Sequence, residues 1–456
     1  MLKQPTLIFF ITLLLAGCQS KPRQEETIDF PPTSTPPEWT RNTSIYEVNI
    51  RQYTPEGTIR AFSQHLPAIK ALGTDILWLM PIYPIGQEQR KGSLGSAYSV
   101  LDYRAVNPDF GTMEDLQDLV RQAHSRGMYV ILDWVANHTA WDNPLAKEHP
   151  EWYHKDEKGN FTPPVDDWSD VIHLNYENEE LRQYMIESLK FWVETADIDG
   201  FRCDVAMMVP TVFWEQARHE LDKIKPVFML AEAEEADHLT YAFDMNYGWE
   251  LHHIMNEIAR GKMNVDNLTG YLKKYDSLYG ADAYRMNFIT NHDENSWNGT
   301  LNERMGEAQQ AMAALMATLP GMPLIYSGQE AGLDKRLKFF EKDTINWQES
   351  RLRWFYTTLL QHKKKNKALW NGAAGGKLVT LATSQPTKVF AFTREKDGDR
   401  VLVVLNLSNS EVEFTFTAPP ATAQLSDLFN AGGREALSTM PVKMAPWAYI
   451  ILTSQP

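Results

Sequence analysis

The sequence predicts an α/β protein: a (β/α)8 TIM barrel with a small excursion domain after strand 3 and a C-terminal antiparallel β domain. Eight short β-like runs recur along the chain with helical stretches between many of them, the pattern of a parallel barrel. Several of these runs are almost continuously apolar, as parallel strands buried on both faces are. After about residue 373 the pattern changes to alternating segments joined by turn residues. A doubly wound open sheet is the competing architecture for the first two observations.

The eight runs are Ile45–Ile50, Ile76–Pro81, Tyr129–Val135, Gly200–Val205, Val227–Ala233, Tyr241–Tyr247, Arg285–Thr290 and Leu324–Ser327. Met113–Arg126 has apolar positions at helical spacing and stops at Gly127. Thr112, with Asp115 three residues on, resembles a capping box. Asn178–Ala196 and Glu307–Thr318 read as further helices. The connection from Thr139 to about Tyr176 is too long for a plain barrel loop and is rich in Trp, His, Asp and Pro. It reads as an excursion domain (139–176) over the top of a barrel spanning 39–373. Beyond it, 374–456 reads as a β-sandwich domain. Its strands are Lys377–Thr383, Lys388–Arg394, Asp399–Leu407, Glu411–Thr417 and Trp447–Thr453, with Lys396-Asp397-Gly398 as a hairpin turn.

The start of the chain has a separate logic. Lys3 precedes an apolar run, Leu7 to Ala16, which is too short to span a bilayer and reads as the core of a secretory signal over 1–17. Leu15-Ala16-Gly17-Cys18 resembles the lipobox of bacterial lipoproteins, which implies lipidation of Cys18. Residues 18–38 are rich in Pro, Ser, Thr, Gln and Glu and read as a tether. The expectation is an exported protein, lipid-anchored to a bacterial membrane. Gln19 favours the outer membrane.

A chain of 456 residues with 43% apolar and 23% charged content suits a large soluble barrel plus a smaller domain. A formal charge of −15 argues against nucleic acid as a partner. It suits a neutral substrate. Fourteen Trp and eighteen Tyr leave aromatic rings for stacking on a ligand. The two cysteines, Cys18 and Cys203, make no disulfide framework.

In a barrel of this kind the site lies at the C-terminal strand ends. In Gly200-Phe201-Arg202-Cys203-Asp204-Val205, Arg202 and Asp204 leave a strand on the same face, with Cys203 pointing away. A guanidinium beside the carboxylate is expected to lower its pKa and keep it ionised. Taken alone, the hexapeptide reads first as a structural ion pair, and the rest of the chain reverses that reading. Glu232 follows the apolar Val227–Ala231, where burial and the Asp204 charge would raise its pKa. Asp293 ends the seventh run. An ionised carboxylate and a protonated carboxyl about 5–5.5 Å apart are what retaining glycoside hydrolysis requires. Neighbouring strand ends offer that separation. Asp204 is then the nucleophile candidate, Glu232 the acid and Asp293 a brace for developing positive charge. His138 and His292 are placed to bond sugar hydroxyls.

The stretches DWVANHT (133–139), GFRCDV (200–205), AEAEE (231–235) and TNHDEN (290–295) resemble, in order, the four signature regions of the α-amylase family of glycoside hydrolases. Residues 95–116, 174–182 and 321–333 extend the resemblance. It implies cleavage of α-glucosidic bonds with retention, or glucosyl transfer, and an α-glucan or maltooligosaccharide substrate. It implies Asp204 as nucleophile, Glu232 as acid/base and Asp293 as transition-state stabiliser. Tyr98 would stack under the sugar at the cleavage point, and His138, Arg202 and His292 would contact that sugar or position the nucleophile. Asp133 would be structural. The cofactor it points to is calcium, with Asn137 among its ligands. Met207-Met208 stands where many relatives carry Lys-His, and Ser99 where many carry Asp. The first departure removes a usual calcium-binding histidine without excluding the ion, since any residue supplies a backbone carbonyl. The leading expectation is an α-amylase acting on α-1,4 bonds of starch or maltodextrins. A cyclomaltodextrinase or neopullulanase, an exo-acting α-glucosidase or glucanotransferase, and a non-catalytic glucan-binding lipoprotein are its rivals.

Overall fold

The computed structural model describes residues 36–280, 282–422, 424–429, 437 and 441–454. The expected signal segment, Cys18 and nearly all of the expected tether lie outside the described residues. Among these residues no helix is long and apolar enough to cross a membrane.

Eight parallel strands close into a barrel: β1 (Ile45–Val48), β2 (Ile76–Leu79), β3 (Tyr129–Trp134), β4 (Gly200–Cys203), β5 (Phe228–Ala231), β6 (Met245–Tyr247), β7 (Tyr284–Asn287) and β8 (Met322–Tyr326). Each pairs with its sequence neighbours, and β8 closes on β1 through Ile45 opposite Leu324. Strand alternation divides the apolar residues into two layers. Ile45, Trp78, Ile131, Leu230, Met245, Met286 and Leu324 fill the barrel interior. Leu77, Leu79, Val130, Leu132, Phe201 and Cys203 face the surrounding helices. Cys203 is thus turned away from the Arg202 face, as the alternation predicts.

The eight runs survive as strands with trimmed ends. Ile50 to Tyr53 is helical rather than strand. The sixth strand starts at Met245 because His238–Tyr241 is helical. Asp244 then accepts the Met229 amide with its carboxylate at 2.8 Å, pinning the entrance of β6 to β5. The helix Met113–His124 begins with the expected Thr112/Asp115 capping box. The excursion is held at its base by an antiparallel pair, His138–Ala140 with Val171–His173.

The C-terminal part is a five-stranded antiparallel sheet facing a two-stranded one, Val412–Phe414 with Val442–Met444. Its central hairpin, Val389–Lys396 with Asp399–Asn406, turns at Asp397-Gly398, both at positive φ, as a two-residue hairpin requires. Arg394 is buried and donates to the carbonyls of Thr318, Leu319, Trp370 and Gly376 at 2.9–3.1 Å, so the sheet is tied to the end of the helix Gln309–Thr318 that precedes β8.

Gly200 opens the strand that carries Arg202. A Cβ there would lie 1.9 Å from the Phe228 carbonyl oxygen on β5. Backbone has no rotamer by which to move aside. Gly200→Ala should therefore cost about 3 kcal/mol or more, measured as a shift of the denaturation midpoint.

Candidate active site

Arg202 stands at the centre of the rim, with its side chain fully buried. Its Nη1 donates to Asp133 Oδ1 at 2.9 Å and to Asp204 Oδ1 at 2.8 Å. Nε donates to the Tyr247 hydroxyl at 3.1 Å. Nη2 lies 2.8 Å from Glu232 Oε2, an ion contact without an aligned hydrogen bond. The guanidinium carbon sits 5.0 Å from the Trp78 ring, 5.9 Å from Tyr98 and 5.7 Å from Tyr247.

The backbone delivers the two acids from adjacent strands. Cys203 pairs with Ala231, and the Glu232 amide donates to the Cys203 carbonyl at 3.0 Å. Val205, next after Asp204, is held at φ 36, ψ 46, a left-handed conformation strongly disfavoured for a β-branched residue. That twist points its amide at Glu232 Oε2, 2.7 Å away. Strain of this kind, of order 1–3 kcal/mol, collects at functional sites.

Asp133 accepts from Trp78 Nε1 at 3.0 Å and from the Tyr98 hydroxyl at 3.1 Å besides Arg202, the structural position expected of it. His292 Nδ1 is 2.5 Å from Glu47 Oε1, and its Nε2 is 2.8 Å from the Tyr98 hydroxyl and 3.2 Å from Asp293 Oδ2. Burial alone would lower its pKa, but the Asp293 and Glu47 carboxylates outweigh it and push His292 up to about 9. At neutral pH it is a cation. His138 is the opposite case: burial, with the neighbouring His173, pulls it down to about 3, so its ring is neutral.

Burial pushes Asp204 well above the usual carboxylate range; Arg202 opposes the rise and Glu232 adds to it. Burial also raises Glu232, against Arg202 and with help from Asp293. The rise at Glu232 matches the sequence expectation. The rise at Asp204 corrects the expectation that Arg202 would lower its pKa. The reason is burial: the cost of taking the carboxylate out of water outweighs the Arg202 charge, and the Glu232 and Asp133 charges add to the rise.

These groups open into a cleft of about 630 Å³. Tyr98, His138, Asp204, Glu232, His292 and Asp293, all singled out from the sequence, line it together. Arg202 lies behind them. Lys91, Asp167, Trp168, Asp170, Trp297, Phe339 and Phe340 also line it and were not singled out. Glu47, the buried acid behind His292, was missed too, although a charge inside the apolar run Ile45–Val48 is itself a signal. Other polar strand ends turn elsewhere. Glu234 pairs with Arg285 at 2.7 Å, and Glu330 accepts from the Tyr46 hydroxyl at 2.7 Å.

Asn137 is buried, with its amide nitrogen 3.3 Å from His138 Nδ1. Calcium takes six to eight oxygen ligands, usually including carboxylates. Among the described residues the one set of three His, Cys, Asp or Glu side chains whose ligand atoms all lie within 4.8 Å of one another is His149, Glu151 and Glu180, which leaves out Asn137 and its neighbour His138. The side chains around Asn137 do not fit a calcium cage, and no step is derived through one.

A closed barrel whose rim converges three carboxylates on an aromatic-walled cleft is the site of a glycoside hydrolase. The chain belongs to the α-amylase family: the model of the α-amylase catalytic domain matches residues 33–171 and 147–374, and that of the maltogenic amylase C-terminal domain matches 379–451. The solved structure of a noncanonic maltogenic α-amylase, AmyB from Thermotoga neapolitana, superposes with a TM-score of 0.79 at 30% identity, covering 90% of this chain and 96% of that one. An α-amylase from Lactobacillus plantarum gives the same score and identity over 91% and 99%. In sequence, the α-amylase MalA of Haloarcula japonica is 26% identical over 88% of this chain, which spans 60% of that enzyme's length. The maltogenic α-amylase of Bacillus acidopullulyticus is 25% identical over 86% of this chain and 74% of its own.

Glu47 acts through His292 and does not line the cleft. In Glu47→Gln the imidazolium loses one of the two anions that stabilise it, so its pKa should fall from about 9. An NMR titration of the His292 ring should show this, with the alkaline limb of any pH–rate profile moving to lower pH.

Proposed function

We propose that this α-amylase-family hydrolase cleaves α-1,4-glucosidic bonds of maltodextrins with retention, through a covalent glycosyl-enzyme on Asp204. The observation that carries this reading is that Asp204 and Glu232 each lie 2.8 Å from a different nitrogen of one guanidinium. That keeps the two carboxyl groups close, as a retaining pair at about 5–5.5 Å must be. Arg202 makes its aligned hydrogen bond to Asp204, so the negative charge of the pair rests there and the shared proton rests on Glu232. Asp204 attacks the anomeric carbon while Glu232 gives its proton to the departing oxygen. Water then attacks the glycosyl-enzyme, with Glu232 taking a proton back and Asp204 leaving as carboxylate. Asp293 faces the developing positive charge. Tyr98, fixed between Asp133 and His292, offers a ring to the sugar face.

Asp204→Asn should lower turnover of maltoheptaose by about 10⁴-fold or more with an unchanged melting curve. Glu232→Gln should lose about 10²–10⁴-fold on maltoheptaose and much less on an aryl maltoside, whose leaving group needs no proton. Retained turnover in purified Asp204→Asn would overturn the assignment.

A second reading is supported by the relatives. The match of residues 379–451 to a maltogenic amylase C-terminal domain, and cyclomaltodextrinases from Bacillus and Thermoanaerobacter at 24% identity, favour short or cyclic maltodextrins as substrates. Parallel digests of starch, maltoheptaose, β-cyclodextrin and pullulan separate the two readings.

The lipobox-like Leu15–Cys18 supports export and lipid anchoring at a bacterial membrane. Cys18→Ser should move the protein from the membrane fraction to the soluble exported fraction, followed by immunoblot of detergent-free extracts.

A further inference from the structure

We propose that Lys91 walls off one end of the cleft, so that a glucan is cut a short, fixed distance from its non-reducing end. This rests on the hydrolase reading above. Lys91 is the one lysine or arginine lining the cleft among the described residues. It leaves the connection after β2 and reaches the excursion after β3, where Nζ lies 3.3 Å from Asp170 Oδ1 and donates to the Asp167 carbonyl. It also stands 6.0 Å from the centre of the Phe340 ring, on the connection after β8. One side chain thus bridges three separate loops over the cavity.

The loops behind it are tied together. The Ser93 amide donates to Glu341 Oε1 at 2.9 Å, and the Leu94 amide to the Phe340 carbonyl at 3.1 Å. Gly92, at φ 65, comes so near that a Cβ would lie 2.6 Å from Phe340 Cβ. Ser99, one of the departures from the family pattern, donates its hydroxyl to the Asp170 carbonyl at 3.0 Å. The strap is therefore part of a braced wall, and its cation is neutralised where it crosses.

Barrel order says which end is closed. The wall comes from loops after β2 and β8, which flank β1, and after β3, which lies next to β2. Glu232 follows β5, on the opposite side of the ring. The leaving portion of the chain departs on the side of its proton donor, so the retained portion lies toward β1 and β2. There Phe339 is stacked 6.1 Å from Tyr98 with the rings 14° apart. The closed end faces the glycone, whose far terminus is the non-reducing one.

The test compares maltoheptaose with a maltoheptaoside blocked at the 4- and 6-hydroxyls of its non-reducing glucose. The wild-type protein should cut the blocked chain at less than a tenth of the unblocked rate. Its first products from maltoheptaose should be of one short length. Lys91→Ala should raise the blocked-to-unblocked ratio at least tenfold and mix the product lengths. Asp170→Asn, which frees the strap while keeping its size, should move the ratio the same way. A ratio insensitive to the fraction of folded enzyme makes the comparison robust. Equal wild-type rates on both chains, or an unchanged ratio in both variants, would overturn the proposal. Wild-type inactivity on both chains would instead overturn the hydrolase reading beneath it.

Discussion

A single buried guanidinium sets the terms for the rest of this site. Arg202 is fully enclosed, yet it is asked to offset Asp133, Asp204 and Glu232 at once. Counting Glu47 and Asp293, five carboxyl groups face two cations, Arg202 and His292. Removing so many charges from water is expensive, and a pair that merely broke even would be better replaced by apolar residues. The cluster survives because it is over-determined. The rings of Trp78, Tyr98 and Tyr247 surround the guanidinium, and two of their polar tips bond Asp133. A proton held within the Asp204–Glu232 pair relieves the remaining imbalance. The same shortage of positive charge that would destabilise a structural core provides an acid and a base side by side.

This arrangement tolerates little movement, and the backbone is built accordingly. Arg202 and Asp204 share a face only because β4 is a regular strand through Cys203, and β4 lies against β5 only because Gly200 has no side chain. One residue later the regularity is given up. Val205 adopts a left-handed conformation, and its amide becomes a donor to Glu232. A strand that delivers Asp204 and then a strained turn that fixes Glu232 are two uses of one short stretch. The apolar lower barrel, from Ile45 to Leu324, gives that stretch a rigid base.

Most of this was legible in the sequence wherever a periodic signal or a strand-end acid marked it. All eight strands stand in the expected order, since parallel strands buried on both faces leave long apolar runs. Their ends were overrun because apolar residues such as Ile50 continue into helices that pack on the same core. Tyr98, His138, Asp204, Glu232, His292 and Asp293 meet in one cleft because each ends or closely follows a strand, or lies in a motif. Lys91, Trp168, Trp297, Phe339 and Phe340 carried no such mark. They sit on long connections whose path is decided by contacts between loops, such as Ser93 with Glu341, that no local pattern encodes. The direction of the Asp204 pKa shift was misread for a related reason. The sequence shows its neighbour Arg202, while the burial that outweighs it and the Glu232 and Asp133 charges that add to it exist only in three dimensions.

The unequal lengths of the βα connections explain why the cleft is asymmetric. The long ones, 80–112 after β2, 135–178 after β3 and 327–350 after β8, are close together around the ring. After β5 only residues 232–237 intervene before the next helix, and after β6 only Gly248. High walls therefore rise after β2, β3 and β8, and the rim after β5 and β6 stays low. Glu232 stands on that low side, and Met207, after β4, has 46% of its surface exposed. A cleft of this shape sets fixed charges and rings on its walled side and offers few contacts on the other. The catalytic groups need the first property, because their charges work only when desolvated and held in place. The second follows at no extra cost from where the chain spends its loops.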